Sequence, residues 1–353
     1  MDFDELFSQS DCVQILLTVD PYLPVPPRLY GGVERIVSGL IAKLRQRGHT
    51  IGLVAHPEST APVDYFAGWN CVAPDSSIAH VRNSLTLLKA SREFEPVLIH
   101  SYSRLAYLSP LLLGRIPKIM SYGRHTGGNQ IKFAVAIAGK SLTFTGCSKF
   151  IANMGLPYGG AWHAIYNFID LDFYGFAPHV ACDSPLVFLS RIDQIKGAHV
   201  AIEVAKKTKR RLIIAGNHGE RGGELRYWKE VIEPELGRNG IEYVGPVDDS
   251  AKTALLQSAL AMLVPIQWDE PFGLVFAEAL ACGTPVISCP RGALPEIVRH
   301  GVEGFLINSV DEACEAVHKV GIIDRRDCRR RAETMFSAEE ITNQYEALYA
   351  SLI

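Results

Sequence analysis

Residues 269–285, DEPFGLVFAEALACGTP, restrict the fold of this chain more than any other stretch. Positions 274–282 are apolar and rich in Ala and Leu, so they read as a buried helix. Gly273 stands at its start, and Gly283, Thr284 and Pro285 stop it. Apolar runs at 261–265 and 285–288 enter and leave the segment as strands. Strand, buried helix and strand in such short order belong to a parallel sheet covered by helices.

Two carboxylates frame this helix. Glu278 is carried inside it, and Glu270 stands on the loop just ahead. A helix N-terminus presents free backbone N–H groups and a partial positive charge, which together seat a phosphate. The main-chain N–H groups of Phe272, Gly273 and Leu274 are the donors expected there. A carboxylate beside a phosphate seat repels the anion unless it binds a neutral part of the same ligand. A sugar hydroxyl suits Glu270, and a ribose suits Glu278. The alternative, two ordinary solvated carboxylates, is disfavoured because a charge inside so apolar a helix is costly unless paired.

The same alternation runs through the chain. The apolar run at 13–19 is expected to be the first strand of a doubly covered sheet. The loop after it holds four prolines and hands over, through Gly31 and Gly32, to an amphipathic helix ending near Gly48. Strands follow at 51–55, 97–100, 118–122 and 142–145 with helices between them, the pattern of a doubly wound sheet. His100 and His125 each follow a strand, at the carboxyl edge where such sheets bind ligands. No G-x-G-x-x-G follows the first strand, which disfavours a dehydrogenase. Gly139-Lys140-Ser141 has the form of a P-loop end, but Ala134 occupies the place of its first glycine.

Residues 174–185 are irregular and mark the expected hinge. A second sheet begins at 186–190. Arg191 and Lys196 lie just past that strand, on the turn into a helix starting near His199. An Arg and a Lys five positions apart suit a diphosphate, one as a fork and the other as a point charge. The next strand ends at Gly216-Asn217, which puts Asn217 among the expected donor-binding residues. Lys206, Lys207, Lys209, Arg210 and Arg211 close the helix between these strands, where cations favour its dipole. They read as a solvated face, with weak attraction to a membrane surface as the alternative.

Totals narrow the class. The chain has 353 residues, enough for two domains, with 48% hydrophobic and 21% charged residues. A net charge of −3 leaves no electrostatic footprint for nucleic acid. Its eight cysteines include no CxxC pair, its start is acidic, and no apolar run reaches transmembrane length. A cytoplasmic enzyme is expected, of unreadable oligomeric state.

These motifs, in this order, resemble the retaining glycosyltransferases of family 4. Glu270 and Glu278 match the family's E-x7-E signature, and RIDQIKG at 191–197 matches its R-x4-K-G diphosphate clamp. The resemblance implies the α/β GT-B fold, two Rossmann-like domains facing across a cleft. An acceptor-binding domain would span 1–177 and a nucleotide-sugar domain 178–336, with a helix at 337–353 crossing back to the first. It implies that Gly31 and Gly32 lie near the donor diphosphate and the acceptor, and that His125 contacts the transferred sugar. YNFIDLDFY resembles the family's N-G-V-D element, with Phe168 where glycine is usual. Asn167 is then ligand-facing, Asp170 caps local backbone, and no metal is expected. Val247 would hold the nucleotide base. Glu270, Arg191, Lys196 and His125 would serve the reaction.

The activity implied is metal-independent, retaining transfer from a nucleoside-diphosphate sugar, with UDP- and GDP-sugars foremost. The acceptor would be a saccharide, a lipid-linked sugar or a natural product, and no cofactor beyond the donor is expected. A nucleotide-sugar epimerase of the same fold would need proton-transferring groups that the sequence does not place. A non-catalytic binding module is disfavoured by the joint presence of the clamp and both glutamates.

Overall fold

The computed structural model describes residues 12–28 and 31–353. The acidic start at 1–11, and Leu29 and Tyr30 of the proline-rich loop, lie outside the described residues. The chain divides into two compact units, Met1–Asn167 with Ala338–Ile353, and Phe168–Ser337.

The first unit is a seven-stranded sheet of β1 (Gln14–Thr18), β2 (Thr50–Ala55), β3 (Tyr65–Gly68), β4 (Leu98–Ser101), β5 (Lys118–Tyr122), β6 (Leu142–Gly146) and β7 (Ala161–Ala164). The order is β3-β2-β1-β4-β5-β6-β7, with every pairing parallel. The central strands are nearly all apolar and buried, because helices cover both faces. Helix α1 (Gly32–Gln46) follows the proline-rich loop and buries Ile36, Val37, Leu40, Ile41 and Leu44. The other helices before the division are α2 (Ser77–Phe94), α3 (Asn129–Ala138) and α4 (Lys149–Gly155). Strand order reverses between β1 and β4, so the loops after these two strands border the usual ligand crevice.

The second unit has β8 (Leu186–Leu189), β9 (Leu212–Ala215), β10 (Ile241–Gly245), β11 (Ala261–Val264), β12 (Val286–Ser288) and β13 (Gly304–Leu306). They lie parallel in the order β10-β9-β8-β11-β12-β13. The helices are α5 (Ala198–Thr208), α6 (Gly222–Tyr227), α7 (Asp249–Ser258), α8 (Leu274–Ala281), α9 (Leu294–Ile297), α10 (Val310–Lys319) and α11 (Arg325–Phe336). Between β11 and β12 runs α8, burying Phe276, Ala277, Ala279, Leu280 and Ala281, as its composition requires.

The division falls ten residues before the expected boundary at 177, for a structural reason. Residues after Asn167 already bond to the second unit. Ile169 N–H donates to Phe336 O at 2.8 Å, and Ala177 N–H to Cys282 O at 3.1 Å. Buried Arg325 adds bonds to the carbonyls of Ala177, Ala259 and Gln257 and to Thr284 Oγ1. Irregular composition at 174–185 marked a loop correctly, but that loop is packed rather than a free hinge.

The last helix, α12 (Ala338–Leu352), clusters with the first unit and packs on α1. Glu346 pairs with Arg47, and its Oε1 lies 3.0 Å from His49 Nε2. Tyr349 OH bonds to His100 Nδ1, and Ser121 Oγ bonds to His100 Nε2, both at 2.6 Å. His100 is therefore a core histidine. Burial lowers its pKa from 6.5 to about 3, because the charged form would be desolvated. Below pH 6.5 the unfolded chain gains a proton here that the folded chain refuses, so this residue's contribution falls as the pH drops. The slope is about 1.4 kcal/mol per pH unit per proton. Urea unfolding at a series of pH values is expected to show this slope, and His100→Gln to flatten it by about one proton.

Candidate active site

The loops at the carboxyl edge of the second sheet gather most of the residues singled out by sequence. After β8, Asp193 organises the turn. Its Oδ1 accepts from Lys196 N–H at 3.1 Å, and its Oδ2 accepts from Arg191 Nε at 2.6 Å. Ile192 N–H donates to Asn217 O at 2.8 Å, fixing the β8 loop to the β9 loop. Gln267 N–H donates to Ile195 O at 2.6 Å, fixing it to the β11 loop. Arg191 keeps its side chain mostly exposed, while Asp193 is buried.

Lys196 and Glu270 meet at the centre. Lys196 Nζ lies 2.5 Å from Glu270 Oε2, with the side chains 14% and 11% exposed. Trp268 Nε1 donates to the same oxygen at 2.9 Å, and its ring lies 4.8 Å from Lys196 Nζ. The backbone beneath Glu270 is fixed as well, since Ala293 N–H donates to Glu270 O at 2.8 Å. Gly292, at φ +59°, passes so close that an added Cβ would sit 2.3 Å from that oxygen and 2.4 Å from Glu270 N.

Just beyond, Gly273 adopts φ +86° and turns the chain into α8, whose N-terminus carries no side-chain cap. Its leading N–H groups, at Leu274 onward, lie where the sequence analysis expects an anion seat. Phe272 contributes only backbone to that edge, since its buried ring packs edge-on against Phe336 at 5.5 Å. Glu278 sits within α8, where Oε1 accepts from Tyr174 OH at 2.7 Å and from Lys252 Nζ at 2.9 Å. The charge that an apolar helix could not carry alone is thus paired. Val247 lies two residues past β10, half-buried, ahead of α7.

Gly31, Gly32, His125 and Asn167 belong to the first unit. Gly32 opens α1, and Gly31 caps it through its carbonyl to Arg35 N–H at 3.1 Å. His125 and Asn167 line a cavity of about 580 Å³ beside the β1–β4 crossover. His125 is exposed, with its ring edge-on to Phe150 at 5.8 Å. Asp20, Glu34, Arg104, Tyr122 and Thr126 line the same cavity. Among the described residues, five polar atoms there are buried without a hydrogen-bond partner: Asp20 Oδ1, Tyr102 OH, Arg104 Nε, Tyr122 OH and Thr126 Oγ1. Buried orphans of both donor and acceptor type fit a ligand rich in hydroxyls. Burial, with Asp20 nearby, raises the pKa of Glu34, keeping more of it protonated than an ordinary carboxyl.

Residues 183–333 match the family model for glycosyl transferases group 1, and residues 30–173 match that for Glycosyltransferase Family 4. The chain belongs to the group 1/family 4 glycosyltransferases. It is 30% identical to D-inositol 3-phosphate glycosyltransferase of Mycobacterium tuberculosis over 180 residues, 48% of this chain and 37% of that one. The matches cover 31% and 37% of the length of two such curated relatives. Solved structures align over nearly the whole chain. Sucrose-phosphate synthase of Thermosynechococcus elongatus gives a TM-score of 0.79 at 18% identity, covering 96% of this chain and 99% of that one. HepE of Anabaena, in complex with UDP and glucose, gives 0.72 at 20% identity, covering 96% and 100%. These likenesses establish the GT-B fold, with two Rossmann-like units.

Sequence reasoning missed several partners in this glycosyltransferase family member: Asp193, Trp268, Tyr174, Lys252 and the orphaned polar atoms of the cavity. Lone residues carry no spacing signal, though Asp20 directly after the first strand and Glu34 in GGVER were visible cues. Asp170 Oδ1 does cap local backbone, accepting from Asp172 N–H at 3.1 Å. Burial pushes the Cys282 and Cys328 thiols up to about 12, which makes them poor nucleophiles. Three of the five cations ending α5 are in ion pairs: Lys206 with Glu235, Lys207 with Glu203 and Asp311, and Arg211 with Glu242. No helix among the described residues is long and apolar enough to cross a membrane.

Proposed function

We propose that the protein is a retaining, metal-independent hexosyltransferase that takes its sugar from a nucleoside-diphosphate sugar. The observation that carries this reading is the Lys196–Glu270 pair, held beside the uncapped N-terminus of α8. One ligand with a neutral polyhydroxyl part and a dianionic part satisfies both groups. The sugar hydroxyl bonds to Glu270, and the diphosphate takes Lys196, Arg191 and the α8 N–H groups. As the bond from the anomeric carbon to the diphosphate breaks, negative charge grows on the phosphate oxygens. Fixed cations and N–H groups aimed at those oxygens stabilise the transition state more than the ground state. Glu278 takes the ribose and Val247 and Asn217 the base end.

The acceptor hydroxyl comes from a saccharide, lipid-linked sugar or natural product bound in the cavity of the first unit, beside His125 and Asn167, with Gly31 and Gly32 at the start of α1. The carboxylate nearest the α8 N-terminus, Glu270, is paired with Lys196 and Trp268. Attack from the face that the diphosphate leaves therefore fits better than double displacement. A cytoplasmic location fits eight cysteines, all of them free. The UDP complex of HepE favours UDP-sugars as the first donors to test.

The test is release of nucleoside diphosphate from UDP-, GDP-, ADP- and dTDP-sugars with no added metal, read beside donor-induced thermal stabilisation. One donor is expected to be hydrolysed slowly and to raise the melting temperature. If none does either, the reading fails in favour of a non-catalytic binding module.

A further inference from the structure

Helix α2 carries aliphatic side chains on its outward face as well as its inward one. Its inward side buries Asn83, Ser84 and Ser91 among Ala79, Leu87, Ala90 and Phe94. Asn83 is held by both backbone groups of Cys71 at 2.9 Å, and Ser84 Oγ donates to Ala106 O at 3.2 Å. The outward side carries Ile78, Val81 and Leu85, which are 68%, 57% and 54% exposed. At about 100° per residue, these three share an arc of about 100° with the exposed cations Arg82, Lys89 and Arg92. A helix docked on a core and facing only water would keep its aliphatic side chains on the inward face.

The neighbouring surface has the same character. Crossovers from β3 to β4, β4 to β5 and β5 to β6 all step the same way across the sheet. Right-handed connection then puts α2, the turn at Leu105–Leu111 and α3 on one face, opposite α1. Leu113 and Phe133, 86% and 67% exposed, emerge from that face beside exposed Arg115 and Lys132. Residues 96–169 hold no Asp or Glu, and of their seven Lys and Arg, Lys118 is buried and Arg104 and Arg124 line the cavity, which leaves Arg115, Lys132, Lys140 and Lys149 exposed. On α2 itself, Glu93 accepts from Tyr65 OH at 2.7 Å and lies 3.5 Å from Lys89.

We infer that this face of the first unit, centred on the outward stripe of α2, seats on an anionic lipid surface. Aliphatic and aromatic side chains enter the boundary of the acyl region, while the cations meet lipid phosphates. A second copy would set two like-charged faces together. A nucleic acid would leave the aliphatic stripe unused. The inference stands apart from the transfer reading and concerns none of the residues placed at the active site.

Flotation of the full chain tests it, with phosphatidylcholine vesicles and with vesicles in which about a third of the lipid is phosphatidylglycerol. The protein is expected to float with the anionic vesicles and to stay in solution with the neutral ones. The triple variant Ile78→Ser, Val81→Ser, Leu85→Ser should lose at least about tenfold in partitioning, and so should Arg82→Ala, Lys89→Ala, Arg92→Ala. All six positions are exposed, so melting temperatures should stay near that of the parent, and Lys206→Ala should float unchanged. Equal partitioning to both vesicle types, no flotation with either, or triple variants that float like the parent would overturn the inference. So would a dimer in sedimentation equilibrium that the aliphatic triple dissolves without any vesicle binding.

Discussion

Exchanging Lys196 for alanine is expected to lower turnover by about a hundredfold or more, the usual cost of removing one preorganised group facing transition-state charge. The same change strands Glu270, whose side chain is 11% exposed, without its cation. Breaking a buried pair from one side costs about 3–5 kcal/mol of stability. Trp268 Nε1 still donates to the carboxylate, so the lower end is expected here. Loss of activity and loss of fold are separable. The double variant Lys196→Met, Glu270→Gln removes both charges and is expected to recover most of the lost melting temperature while staying inactive. Steady-state turnover with the preferred donor and a thermal melt on each variant make the measurement. A stable double variant with near-parental turnover would remove this pair from the chemistry.

Gly292→Ala is expected to be nearly as damaging, although residue 292 bears no functional group. The added methyl would lie 2.3 Å from Glu270 O and 2.4 Å from Glu270 N, and both are backbone that cannot swing aside. The positive φ adds strain of about 1 kcal/mol for any residue with a Cβ. The loop must move, carrying Glu270 away from Lys196 and breaking the bond from Ala293 N–H. A displacement of about 1 Å at a reacting group can cost about a hundredfold in rate. Turnover should therefore fall at least tenfold, and the melting temperature should drop with it. Full activity in a stable Gly292→Ala protein would mean that this turn has freedom its packing denies.

Much of this architecture was legible because buried parallel strands announce themselves. The runs at 186–189 and 212–215 are continuous and apolar, and each became a strand within a residue of its expected ends. Edge strands hid. Tyr65–Gly68 and Ala161–Ala164 are only partly buried and lack any sustained apolar run. In the candidate site, residues with a fixed spacing stood out in the sequence: Arg191 with Lys196, and Glu270 with Glu278. Their partners did not, because Lys252 and Tyr174 reach Glu278 from positions 26 and 104 residues away. Only the folded chain sets such pairs side by side. The domain boundary was misplaced for a related reason, since composition at 174–185 says loop but cannot say which body the loop is bonded to.

Because α12 completes the first unit, that unit matures against the direction of synthesis. Its first strand leaves the ribosome early, yet His100 keeps an open side until Tyr345 and Tyr349 arrive some 250 residues later. At about 5–20 residues per second, the nascent chain spends tens of seconds in that state. Phe168–Ser337 contains all of its own strands and can close meanwhile. The unit whose strands come first is thus the one that finishes last, and its seam is sealed by α12.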